Sequence, residues 1–191
     1  TGCVMIEAGA GAGQAARLAT LRKLALDLGM PRDACLLLVD AGSQVLCGGT
    51  DTVDFSYPVS ISALGLGEKS GSFKTPRGLH EVTERYGDGV LPGGIFRSRA
   101  FTGEVLPAEM WRHGEEDLIL SRILRLAGRE PGLNEGGDVD TYSRMIYVHG
   151  TNQEESVGVR AASHGCIRMR NLDVIELFNR LKDLEAWVWV G

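Results

Sequence analysis

The chain has 191 residues, of which 43% are apolar and 24% charged, the balance of one globular domain with room for a short extra element. A net charge of −5, with no basic stripe, argues against nucleic acid as a partner, because phosphate binding needs concentrated Lys and Arg. No apolar run approaches the roughly 18 residues of a membrane-spanning helix, and 26 glycines predict many tight turns.

Residues 1–13 are rich in Gly and Ala and read as a loose lead-in. Leu18, Leu21, Ala25 and Leu28 then recur at helical spacing over 14–28, with Gly29 and Pro31 as stop signals. From Cys35 the period changes, and two apolar runs around Gly42 predict a hairpin. Residues 59–62 (VSIS) read as a third strand, 64–78 as a Gly-rich loop ending in Thr75-Pro76, and 79–86 as the next strand. Residues 87–117 hold Pro92, Gly93, Gly94, Gly103, Pro107 and Gly114 with little periodicity, so they read as an irregular functional loop. Their aromatics Phe96, Phe101 and Trp111 suit a lid over the site, or a loop packed on the sheet.

In 117–128, Leu118, Leu120, Leu124 and Leu126 alternate, whereas Ile119, Ile123 and Leu126 fit a helix; strand is the preferred reading. A loop over 129–141 leads to a buried strand at 144–150, with Tyr147 in the core. Residues 171–181 predict an amphipathic helix, with Asn171 as N-cap, Asp173 at the positive end, and Leu172, Ile175, Phe178 and Leu181 facing inward. WVWVG closes the chain as a strand. The fold class is therefore mainly β with peripheral helices (α+β), divided into an N-terminal lead-in and helix (1–33) and a β-rich main domain (34–191).

Four cysteines are too few for a disulfide scaffold and lack the spacing of a zinc site. Cys35 and Cys47 flank the hairpin and could approach each other, but buried thiols are the better reading, and Cys3 is also expected to be a thiol. Thiols suit a reducing cytosol, which is the expected location if residue 1 is near the native start. The chain opens on Thr1 without a Met, so the alternative is a removed leader and a periplasmic or cell-envelope location.

The segment Tyr147–Asn171 carries the chemistry. A strand delivers His149, a polar loop follows, and the chain returns through Ser163-His164-Gly165-Cys166 just ahead of a helix. A reactive cysteine needs an imidazole or another positive field, and either His149 or His164 could supply it. Gly150 and Gly165 allow close backbone approach, and N–H groups near Gly165 and Cys166 could hold an oxyanion. Two alternatives stand beside catalysis: a buried thiol beside a hydrogen-bonded imidazole, and a metal site of His149, His164 and Cys166 that lacks regular spacing and a fourth ligand.

The run His149-Gly150-Thr151, then Ser163-His164-Gly165-Cys166-Ile167-Arg168-Met169 and Asn171, resembles the signature of the L,D-transpeptidase (YkuD-type) family. The Thr75-Pro76-x-Gly78 turn is similar to an earlier landmark of that family, and the resemblance spans roughly 35–190. It implies a compact β-sandwich with Cys166 as nucleophile and His149 as general base, oriented by a backbone carbonyl that Gly150 can provide. It further implies that His164 and Gly165 shape the acyl pocket, that Ser163 bonds within the turn, and that Arg168 holds the site or a substrate carboxylate.

The implied partners are peptidoglycan stem peptides or muropeptides, with no metal and no cofactor. The implied reaction forms a thioester at the third stem residue with release of the terminal D-amino acid, and a carbapenem would acylate the same thiol. An amine acceptor makes the enzyme an L,D-transpeptidase and water makes it a cytoplasmic L,D-carboxypeptidase of muropeptide recycling. A non-catalytic peptidoglycan-binding module is the reading from another class.

Overall fold

The computed structural model describes residues 8–191, with side chains from Gly13 onward; Cys3 lies outside the described residues. Helix α1 (Ala8–Asp27) precedes strands β1 (Cys35–Asp40), β2 (Val45–Gly49) and β3 (Phe55–Pro58). These are followed by β4 (Gly78–Tyr86), β5 (Gly94–Arg97), β6 (Ala100–Val105), β7 (Ile119–Gly128) and β8 (Tyr147–Thr151), then β9 (Ile167–Met169), α2 (Asn171–Arg180) and β10 (Ala186–Val190).

All ten strands join one sheet, ordered β3-β2-β1-β10-β4-β7-β5-β6, from which β8 branches off β7 and carries β9. The branch lets the sheet curl, so that the β1–β10 arm and the β8–β9 arm close on one core. Leu37, Val39 and Val188 from the first arm meet Val148, Ile167 and Met169 from the second, and Val174, Leu177 and Phe178 of α2 fill the space between. On the other face of β1, Leu36 and Leu38 pack with Leu18 and Ala25 of α1 and with Trp187 of β10. Strand alternation thus separates two clusters on the two faces of one strand. The mainly-β class with two helices agrees with the sequence. Among the described residues no helix is long and apolar enough to cross a membrane.

Several local expectations are corrected. Helix α1 starts at Ala8, so the Gly/Ala stretch from there to 13 is helical rather than loose, and Gly29, at φ +96°, ends the helix as expected. The third strand is Phe55–Pro58, and 59–62 instead runs extended, bridging Ser60 to Arg168 and Ser62 to Ser163. Residues 87–117 contain the β5–β6 hairpin, whose first strand pairs with β7. In α2 the buried face is Val174, Leu177 and Phe178, continued by Leu181, while Leu172 is exposed. Arg170, not Asn171, occupies the N-cap position, because the Asn171 side chain is fully buried and bonded elsewhere. Cys35 and Cys47 fall in the two clusters on opposite faces of the sheet, so they cannot bridge, and burial pushes each thiol up to about 11.

Candidate active site

Strands β8 and β9 run parallel, with Val148 beside Ile167 and His149 beside Arg168. Val148, Ile167 and Met169 point into the core, and the alternate residues take the other face, where Cys166 rests against Phe96, Ile123 and Tyr147. The two halves of the sequence motif, seventeen residues apart, meet because two short strands pair.

His149 is buried, and its Nδ1 lies 2.7 Å from the carbonyl oxygen of Gly150. A carbonyl only accepts, so Nδ1 carries the proton and the neutral ring keeps its lone pair on Nε2. Burial pushes His149 down, against the Gly150 carbonyl and Asp117, while Arg168 lowers it further. Gly150 has a second role. A Cβ there would stand 2.5 Å from Asn171 Oδ1 and 2.6 Å from the Leu120 carbonyl, so only glycine lets β7, β8 and α2 close around the histidine.

The turn carrying Cys166 is self-braced. Ser163 Oγ donates to the Cys166 carbonyl and accepts from the Gly165 N–H at 3.2 Å, which is therefore not a free donor. Gly165 sits at φ +132°, a conformation that favours glycine. From 90 residues away, Thr75 Oγ1 donates to the Gly165 carbonyl at 2.9 Å and accepts the Ser62 N–H at 3.0 Å. The Thr75-Pro76 turn thus props up the cysteine turn.

Cys166 is half-buried: one side opens on a groove of about 370 Å³ while the protein encloses the rest. That enclosure pushes its thiol up to about 11, against the Tyr147 N–H; Asp117 adds to the rise, and Arg168 and Arg144 oppose it.

Asp117, just before β7, gathers three cations or potential cations. Its carboxylate forms an ion pair with Arg168 and lies 3.2 Å from His164 Nδ1. Burial would push Asp117 up, but Arg168 beside it, with His149 and His164, holds it below the usual carboxylate range. Arg168 is only 1% exposed, and its guanidinium is taken by Asp117 and by Gln153 Oε1 at 2.9 Å. His164 and Cys166 both line the groove.

The groove walls are 70–73 and 143–146, joined by Arg144, which donates to the carbonyls of Glu68 at 2.7 Å and Lys74 at 2.6 Å. No residue of 92–108 lines it, and Phe96 of that segment sits in the cluster against which Cys166 packs. Asp117, Thr75 and Arg144 escaped the sequence reading because each acts through tertiary contacts; only the Thr75-Pro76 landmark hinted at one of them. A second hollow of about 430 Å³, lined by Arg112, Glu154, Glu155, Val159 and Arg170, holds no cysteine or histidine, and its Glu154 is engaged with Asn171.

A branched, curled sheet that presents a cysteine turn beside a buried histidine defines the class. The family model for the L,D-transpeptidase (YkuD) catalytic domain matches residues 36–190, and the chain belongs to that family. The Bacillus subtilis protein YqjB, provisionally named an L,D-transpeptidase, is 51% identical over 41 residues, 22% of this chain and 23% of that protein. ErfK/SrfK of Salmonella typhimurium, also provisionally so named, is 29% identical over 136 residues, 70% of this chain and 36% of that one. These alignments therefore span about a quarter to a third of the relatives' own lengths. Among solved structures, L,D-transpeptidase 3 from Mycobacterium tuberculosis in complex with a faropenem-derived adduct superposes with a TM-score of 0.50 at 17% identity. That match covers 83% of this chain and 60% of that one, and it bears on the fold.

Proposed function

We propose that residues 34–191 form a catalytic unit that transfers acyl groups between peptidoglycan stem peptides, with Cys166 as nucleophile and His149 as general base. The observation that carries this reading is the His149–Gly150 contact of 2.7 Å, which holds the ring with Nε2 as the basic nitrogen on the strand beside Cys166. Burial pushes the Cys166 thiol up and the His149 imidazole down, which supports a reading in which the proton moves to His149 as sulfur attacks.

In the first step His149 Nε2 takes the Cys166 proton as sulfur attacks the carbonyl of the third stem residue. The oxyanion forms beside the turn. With the Gly165 N–H already bonded to Ser163, the Cys166 N–H is the turn's donor for it. The imidazolium then protonates the departing amine, the C–N bond breaks, the terminal D-amino acid leaves, and a thioester remains. In the second step His149 takes a proton from an acceptor amine as its nitrogen attacks the thioester carbonyl; the C–S bond breaks, and the imidazolium returns the proton to the departing sulfur. Asp117 offsets the buried imidazolium charge, and His164 shapes the groove mouth.

Incubating the protein with a stem tetrapeptide and resolving the products by mass tests this reading. A peptide dimer supports transfer, and tripeptide alone would assign hydrolysis in its place. Absence of any turnover together with retained binding to peptidoglycan would instead mark a binding module.

A further inference from the structure

His164 lines the same groove as Cys166, and it differs from His149 in one respect that bears on proton transfer. Its side chain is 73% exposed, and its Nδ1 lies 3.2 Å from Asp117 Oδ2. A carboxylate only accepts, so Nδ1 carries the proton and the neutral ring keeps its lone pair on Nε2. His149 has the same tautomer but is only 3% exposed. Among the described residues that line the groove, His164 is the one basic group besides the thiol. The other charged side chain there is Arg144, a cation held by the carbonyls of Gly67, Glu68 and Lys74.

An amine acceptor has more protons to lose than His149 can take. A side-chain amine with an ordinary pKa of about 10.4 arrives at pH 7 as an ammonium, with about one molecule in a few thousand unprotonated. The ammonium nitrogen carries three protons and no lone pair, whereas the amide nitrogen it becomes carries one. Two protons must therefore leave it. His149 can take one at Nε2, because Nδ1 is already occupied, and that proton returns to sulfur. Buried as it is, His149 is poorly placed to hand the other to water.

We propose that the His164–Asp117 pair is a second proton acceptor, which converts an incoming ammonium into the amine that attacks the thioester. The proposal rests on the reading of Cys166 as nucleophile with an amine as acceptor. His164 Nε2 takes the first proton, and the nitrogen gains its lone pair. The Asp117 carboxylate holds the resulting imidazolium, which passes its proton to water through its exposed face. Asp117 also pairs with Arg168, which keeps the carboxylate charged and in place. Arg144 on the same groove disfavours the ammonium by like charge and so assists this step. The amine nitrogen then attacks the thioester carbonyl, His149 takes the second proton, the C–S bond breaks, and that proton goes to sulfur. A neutral acceptor, water included, loses one proton only and needs His149 alone.

The test compares two acceptors at neutral pH: Nα-acetyl-lysine amide, whose side-chain nitrogen is charged, and methoxyamine, whose nitrogen is already neutral. Each is offered to the protein together with a stem tetrapeptide, and the transfer products are resolved by mass. His164→Asn keeps a donor for Asp117 and removes the basic ring nitrogen, and His164→Gln removes the imidazole with a longer side chain. In each variant the fall in kcat/KM for the lysine acceptor is expected to exceed the fall for methoxyamine by about tenfold or more. A residue that only shapes the groove would slow both acceptors alike. Equal falls on the two, or no fall on the lysine acceptor, would overturn the role of the His164–Asp117 pair alone. Tripeptide as the only wild-type product with either acceptor would overturn that role together with amine transfer. Absence of any thioester on the wild type would overturn the nucleophile assignment as well.

Discussion

Thr75 Oγ1 donates a 2.9 Å hydrogen bond to the carbonyl of Gly165, joining two points 90 residues apart and setting the turn on which Cys166 stands. Thr75 is fully buried, and its oxygen also accepts the Ser62 N–H, so one hydroxyl satisfies two main-chain groups. Thr75→Val keeps the shape and orphans both. We expect a loss of about 1–3 kcal/mol in urea unfolding, with a larger fall in acylation rate, and Thr75→Ser should restore much of each. Unchanged acylation in Thr75→Val would show that the brace is not needed.

Gly150→Ala should be costly out of proportion to its size. The new methyl would meet Asn171 Oδ1 and the Leu120 carbonyl at contacts no Cβ makes, and neither neighbour is free: Asn171 also bonds Thr151 and Glu154. Overpacking of this kind costs about 1–3 kcal/mol, and the displacement falls on the carbonyl that orients His149. Equilibrium unfolding and the acylation rate should fall together.

Asp117→Asn removes the negative charge that faces Arg168, His164 and His149. Asp117 raises His149 while Arg168 lowers it, so without Asp117 the imidazole becomes a weaker base. The acid limb of the acylation profile should move to lower pH, and the plateau should fall. Asp117→Glu should recover part of the plateau. A profile unmoved by Asp117→Asn would leave Asp117 a structural tether only.

Acid stability has a separate source. His80 is fully buried on β4, where desolvation lowers it to about 4, against hydrogen bonds at Val188 and Gly78; Arg144 lowers it and Glu68 raises it. Its folded value lies below its unfolded one, so its contribution is complete above about pH 6.5 and is lost as pH falls toward 4. The loss is on the order of 3 kcal/mol. His80→Gln should flatten the decline of stability between pH 6.5 and 4, read by urea midpoints across that range.

The sequence made legible what depends on local pattern. Alternation identified β7, apolar runs identified the β1–β2 hairpin, and the His149 and Cys166 motifs marked the strands that meet. It missed what depends on tertiary context. The β5–β6 hairpin was hidden because β6 is mostly exposed and shows no alternation of burial. Asn171 looked like a cap because caps and buried amides draw on the same residue types, and the choice fell to partners on β8 and in the 154–156 turn. The motif left Arg168 with two roles, and it could not show that the guanidinium is buried against Asp117, a residue no motif announces.

Cys166 is the sulfur proposed to carry the acyl group. Intact mass and peptide mapping after mixing with a stem tetrapeptide, quenched in acid, test it most directly. A mass increase equal to the acyl fragment is expected on Cys166, absent from Cys166→Ala and strongly slowed in His149→Ala. Native Cys35 and Cys47 should stay unmodified, being buried on opposite faces of the sheet. An acyl adduct on any other residue, or one that persists in Cys166→Ala, would contradict it.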